Sequence, residues 1–133
     1  MESINKEILI DNNNRVKDIQ QEFSACYPFL KIDFFVTGIG SKRRAAKLVD
    51  PCTSLKKLAG INLRKIDINK NRTVAEVSGD FRDALGVIAE VSRKSGNIWN
   101  TISISDGWTL QSQNIAGEFI CSEMAKNEVE PLA

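Results

Sequence analysis

The chain contains no histidine. It therefore lacks the commonest general base and the commonest metal ligand. No Ser-His or Cys-His nucleophile can be assembled within it. Cysteine is scarce: Cys26, Cys52 and Cys121 are odd in number, far apart and form no CxxC. That spacing argues against a disulfide framework or a zinc site and for a reducing, cytoplasmic setting. Long apolar runs are missing too. The most hydrophobic stretch, FLKIDFFV, is broken by Lys31 and Asp33, so no membrane span is expected. MESINKEILI lacks the apolar core and cleavage site of a secretory signal. DNNNR, from Asp11, has neither the glycine nor the distal glutamate of a calcium loop. Glu76, Asp80 and Asp83 fall off the apolar face of their segment and read as solvated surface. Neither a metal nor a cofactor is expected, and the chain reads as a non-enzyme.

What is present fits one compact domain of 133 residues, with ordinary hydrophobic (42%) and charged (26%) content. The net charge of +1 hides a strong asymmetry. Residues 42–72 carry ten basic and two acidic residues, a net +8, whereas the part before carries −2 and the part after −5. Such a basic block between acidic ends is a candidate contact for phosphate or for an acidic surface. Its candidate anion- or partner-binding residues are Lys42, Arg43, Arg44, Lys47, Lys56 and Lys57. The block opens with Thr37-Gly38-Ile39-Gly40-Ser41-Lys42-Arg43-Arg44, which only resembles a phosphate loop. It lacks the four-residue spacing of a Walker A motif, and Arg43 stands where G-x-G-x-x-G needs its last glycine.

The chain also says one thing twice. ILIDNNNRVKDIQQEF (Ile8 to Phe23) and IDINKNRTVAEVSGDF (Ile66 to Phe81) align at an offset of 58. Ile8/Ile66, Ile10/Ile68, Asn13/Asn71, Val16/Val74 and Phe23/Phe81 are identical pairs. Each copy reads as a strand with alternating isoleucines, an Asn-rich turn and an amphipathic helix. Thr73 and Glu76 form a capping box at the second helix. Pro28 and Gly86 stop the two helices, and alternating strands follow. Lys94-Ser95-Gly96-Asn97 turns into a hairpin partner, IWNTISI. A fainter echo links Thr53 to Gly60 with Trp108 to Gly117, each read as a short helical turn closed by glycine, with the strands NLRKIDI and EFICS following. Cys26 stands where the second copy has Ala84 and reads as a small core filler.

The expected fold is α+β: internally duplicated βαβ units with helices on one face of a mixed sheet, either β-grasp-like or ferredoxin-like. The halves run over about 1–61 and 62–125, with a short acidic tail at 126–133. The second half resembles the later part of a β-grasp (ubiquitin-like) domain, through RKIDINKNRTVAEV and through Thr109, Leu110, Asn114 and Ile115. It lacks a first strand of its own and a C-terminal Gly-Gly, so the resemblance implies no conjugation chemistry. The whole chain resembles small bacterial proteins with paired V-x-D-[IL]-x-x-x-F helices and a G-N-x-W…WTL-x-x-QN ending. Here that ending is Gly96 to Trp99 and Trp108 to Asn114. This resemblance implies a fold and carries no activity.

With no catalytic constellation, the leading expectation is a non-enzymatic interaction module that binds a protein partner. Phe35 and Trp99 are its candidate interface aromatics, since a sheet's open face with such side chains makes a binding platform. Trp99 is expected in a strand whose other face carries Ile98, Ile102 and Ile104. The alternative is nucleic-acid or polyanion binding through the 42–72 block. A homodimer suits either reading.

Overall fold

The computed structural model describes residues 6–36, 46–58 and 64–129. Strand β1 (Glu7–Ile10) leads into helix α1 (Val16–Cys26), strand β2 (Leu30–Val36) and a two-residue strand β3 (Lys47–Leu48). A single 3-10 turn, Leu55–Lys57, follows. Then come β4 (Arg64–Asp67), α2 (Val74–Leu85), β5 (Ile88–Ser95), β6 (Ile98–Thr101) and a long α3 (Leu110–Val129).

Local chemistry sets these boundaries. The Glu76 amide donates to the Thr73 hydroxyl at 3.1 Å and the Glu76 carboxylate accepts from the Thr73 amide at 2.9 Å, closing the capping box of α2. Asp18 accepts from the Arg15 amide in the same way at α1. Gly86 ends α2 in left-handed backbone, φ 68°, where a Cβ is costly. Ser95 pairs with Ile98 across a two-residue turn. Gly96 takes φ 67° there, as the first position of a II′ hairpin turn requires.

The strands form two antiparallel sheets, β1-β4 and β3-β2-β5-β6. Leu30, Ile32 and Phe34 on β2, with Val91 on β5, point into the core. There they meet Ile19 and Phe23 of α1 and Val77, Phe81 and Leu85 of α2. Phe34 and Phe81 meet edge-on, centroids 5.6 Å apart. Each such side chain, once buried, contributes about 1.5–3 kcal/mol. Helix α1 lies along the stretch of β2 that β3 leaves unpaired. Gln20 donates to the Ile32 carbonyl and Ser24 to the Leu30 carbonyl, so edge acceptors that would otherwise invite another strand are satisfied. Tyr27 sends its hydroxyl to the Ile68 carbonyl at 2.5 Å, tying the end of α1 to the chain beyond β4.

Connections recur in the two halves. The Val16 amide bonds the Thr53 carbonyl and the Val74 amide bonds the Trp108 carbonyl; Lys17 to Pro51 is matched by Ala75 to Asp106; Leu55 to Asn14 is matched by Leu110 to Arg72. The isolated bridges Arg15–Ser54 and Thr73–Thr109 correspond as well.

Three expectations change. The single mixed sheet gives way to two antiparallel ones, because β1 and β4 pair with each other rather than joining the larger sheet. The strand expected at EFICS and the turn before it are one 20-residue helix, α3, which also takes up the start of the expected tail, to Val129. Gly117 does not close a helix. It sits inside α3, where a Cβ would lie 2.8 Å from Phe29 Cβ and 3.1 Å from Arg93 Cγ, so it permits close approach to the sheet. The neighbouring Gln113 and Asn114 clamp the same contact. Buried Gln113 accepts from Arg93 and donates to Ser105, and the Asn114 side-chain oxygen accepts from the Phe29 amide. Lastly, Ile104 lies beyond β6 in a turn and is 99% exposed, Ile98 is exposed, and only Ile102 packs against the core.

Candidate interaction surface

Residues directly opposed across an antiparallel ladder share a face. The face of the larger sheet opposite the helices can therefore be read from its register. At one end Phe35 stands between Leu48 and Ile88. The next row pairs Asp33 with Glu90, and the next pairs Lys31 with Ser92 and Ser92 with Thr101. At the far end Lys94 is opposite Trp99. All three helices pack from the other side or the β2 edge: α2 through Phe81 against Phe34, α3 through Gln113 to Arg93, α1 through Gln20 and Ser24. Among the described residues no element covers this face. Leu48 is 57% exposed, Trp99 37%, and Phe35 is half-buried.

The structure thus brings Phe35 and Trp99 to one face, at opposite ends of it. The Lys31 ammonium lies 5.3 Å and the Lys94 ammonium 5.9 Å from the centre of a Trp99 ring, a cation–aromatic cluster. Lys31 also reaches Asp33 at 3.5 Å. Asp33 and Glu90 are like charges opposed across a ladder, and Asp33 is already compensated by Lys31 and by the Gln20 side-chain amide, which donates to it at 3.1 Å. Glu90 has no ion-pair partner among the described residues. Sequence reading missed Lys31, Leu48, Ile88, Glu90 and Lys94. The alternation of β2 and β5 gave each residue's face, but only the register tells which residues become neighbours.

Of the candidate residues in the basic block, Lys47, Lys56 and Lys57 are described. Lys42, Arg43 and Arg44 lie outside the described residues. Lys47 is opposite Val36, on the helix side of the sheet from Phe35. Lys56 and Lys57 are exposed in the 3-10 turn. None of these three pairs with a described acid. Arg72, from the same block, is instead committed to structure. It bonds Asp80 at 2.8 Å and the Asp67 carbonyl at 3.1 Å, and the Asp80 contact raises its pKa further.

Other titratable groups reflect packing. Burial pushes the Cys26 thiol up, consistent with a core filler. Burial likewise pushes the Tyr27 hydroxyl to about 12. Among the described residues no group of three Cys, Asp or Glu side chains is placed to hold a metal ion. No described helix is long and apolar enough to cross a membrane.

The fold and surface define an α+β protein with one helix-covered and one open sheet face. Compared with known protein families, curated proteins and solved structures, the chain matches none.

Proposed function

We infer that this protein is a non-enzymatic interaction module whose open sheet face binds a partner polypeptide. The observation that carries this reading is the composition of that face: an apolar row, Leu48–Phe35–Ile88, and exposed Trp99 flank the opposed carboxylates of Asp33 and Glu90. A partner segment with a Lys or Arg between apolar residues matches it. The cation pairs with the Glu90 carboxylate while the apolar residues fill the two ends. The matching halves support a duplicated architecture, with β2 and β5 as the equivalent central strands of the platform.

The test is selection of peptides from a random displayed library against the intact protein. Binding of the selected peptides is then followed with Phe35→Ser, Trp99→Ala and Glu90→Gln variants. The expected outcome is peptides carrying a basic residue between apolar ones, with affinity cut by about tenfold or more in each aromatic variant. Peptides that bind all three variants as well as the parent would overturn the reading.

One observation favours a second reading. Trp99 between Lys31 and Lys94 also suits stacking of a nucleobase beside a phosphate. Single- and double-stranded oligonucleotides titrated across a salt series separate the two. Polyanion binding falls steeply with salt and is lost in Lys31→Ala, Lys94→Ala and Lys42, Arg43, Arg44→Ala variants.

A further inference from the structure

In the second half of the chain Arg72 is held by three acceptors. Its guanidinium bonds the Asp80 carboxylate at 2.8 Å and the Asp67 carbonyl at 3.1 Å, and it faces the Glu76 carboxylate at 3.7 Å. At the offset of 58 residues, the equivalents of Asp67, Arg72, Glu76 and Asp80 are Leu9, Asn14, Asp18 and Glu22. The backbone follows the same correspondence. The Asn14 amide bonds the Asp11 carbonyl as the Arg72 amide bonds that of Asn69, and the Asn14 carbonyl accepts from Leu55 as that of Arg72 accepts from Leu110. Asp18 accepts from the Arg15 amide as Glu76 accepts from the Thr73 amide. The Lys6 carbonyl accepts from the Ile68 amide. By the alternation of an antiparallel ladder, Leu9 and Asp67 then both turn their carbonyls to the outer edges of β1 and β4.

All three acceptors of the Arg72 site thus recur in the first half, with the shorter, uncharged Asn14 in the place of the arginine. Leu9, Asn14, Asp18 and Glu22 line one open cleft of about 490 Å³ beside β1 and α1. Neither Asp18 nor Glu22 has an ion-pair partner among the described residues. We propose that this cleft binds a guanidinium group from outside the chain, held as Arg72 is held in the other half. Two carboxylates alone attract any cation; the guanidinium on the equivalent set names the class. Its planar fork of donors reaches two carboxylates and a carbonyl at once, whereas an ammonium acts as a point charge. The cleft shares no residue with the open sheet face, so this site stands apart from the platform.

The test follows the amides of the ¹⁵N-labelled full chain by NMR as a cation is added. The three probes are N-acetyl-arginine amide, free arginine and N-acetyl-lysine amide. Both arginine probes should shift the amides around Asn14, Asp18 and Glu22, and the lysine probe should bind at least about fivefold more weakly. Tighter binding of the blocked arginine assigns the site to an arginine of a partner polypeptide, and tighter binding of free arginine to a small guanidinium compound. Glu22→Gln should weaken binding by about tenfold. Asn14→Arg should abolish it, because the chain then supplies its own guanidinium. Glu22 is exposed and no residue other than glycine has a positive φ, so both variants should fold, which circular dichroism checks. No shift at these amides with either arginine probe, equal binding of the lysine probe, or binding unchanged in both variants overturns the proposal.

Discussion

Ile8 lies directly across the β1–β4 ladder from Ile66, the residue that occupies its place in the second of the two matching sequence stretches. The ladder is symmetric about this pair: Glu7 meets Asp67 and Leu9 meets Lys65. Both isoleucines are almost wholly buried, so each half contributes the same side chain to one contact. Either Ile→Ala substitution should cost about 2–5 kcal/mol. Because the two side chains oppose each other across the ladder and belong to one core, the double variant should lose less than the sum, with a coupling of about 0.5–3 kcal/mol. Urea unfolding of the four proteins measures this, and strict additivity would show that the pair does not pack as a unit.

Two helical glycines should respond oppositely to alanine. At Gly79 of α2 the nearest atom to a new Cβ is the flexible end of Arg82, at 3.5 Å. Gly79→Ala should therefore stabilise by about 0.4–1 kcal/mol through helix propensity. At Gly117 the new Cβ meets Phe29 and Arg93, and Gly117→Ala should destabilise despite the same propensity gain. Thermal melts of both variants decide the sign.

Tyr27 is the only tyrosine, so absorbance near 295 nm reports its ionisation without overlap. Its folded pKa, pushed up to about 12 by burial, lies above the ordinary 10.0. Stability from the neutral hydroxyl is therefore fully present below pH 10 and lost as pH rises through 12. The native protein should titrate near 12 and the urea-unfolded chain near 10. Coincident curves would contradict the buried hydrogen bond to Ile68. Tyr27→Phe should cost about 1–3 kcal/mol, since it leaves that carbonyl unpaired.

The Thr73–Glu76 capping box should be separable by pH. Thr73→Ala should cost about 1 kcal/mol of stability. The Thr73 backbone amide, followed by Arg72, holds the Glu76 carboxyl below its ordinary 4.5. The ionised form therefore adds stability above that value and loses it as pH falls through the lower folded pKa. The stability difference between the parent and Glu76→Gln should shrink below pH 4.5. A difference unchanged between pH 7 and pH 3 would assign the effect to packing instead.

Local grammar was legible along the chain. Alternating isoleucines, Asn-rich turns, Thr73 with Glu76, Gly86 and the Gly96 turn all act through neighbours a few residues away, and each element formed where those signals stood. Phe35 and Trp99 were identified for the same reason, since alternation along a strand fixes a side chain's face. Helix α3 shows where this runs out. Its apolar residues lie on all sides, so periodicity gave no helical signal, and Gly117 read as a stop. Its role as a contact with Phe29 and Arg93 exists only once the sheet is in place.

By itself, then, the sequence determined the α+β class, the capped helices, the turns and the lack of histidine chemistry. Each depends on composition or on short-range backbone preference. The tertiary structure decided that β1 pairs with β4, which residues line up on the open sheet face, and that α3 leaves Ile115 and Phe119 exposed. Those are relations between segments far apart in the chain. They are set by which apolar faces fill the same core, a competition among whole surfaces that no short stretch can encode.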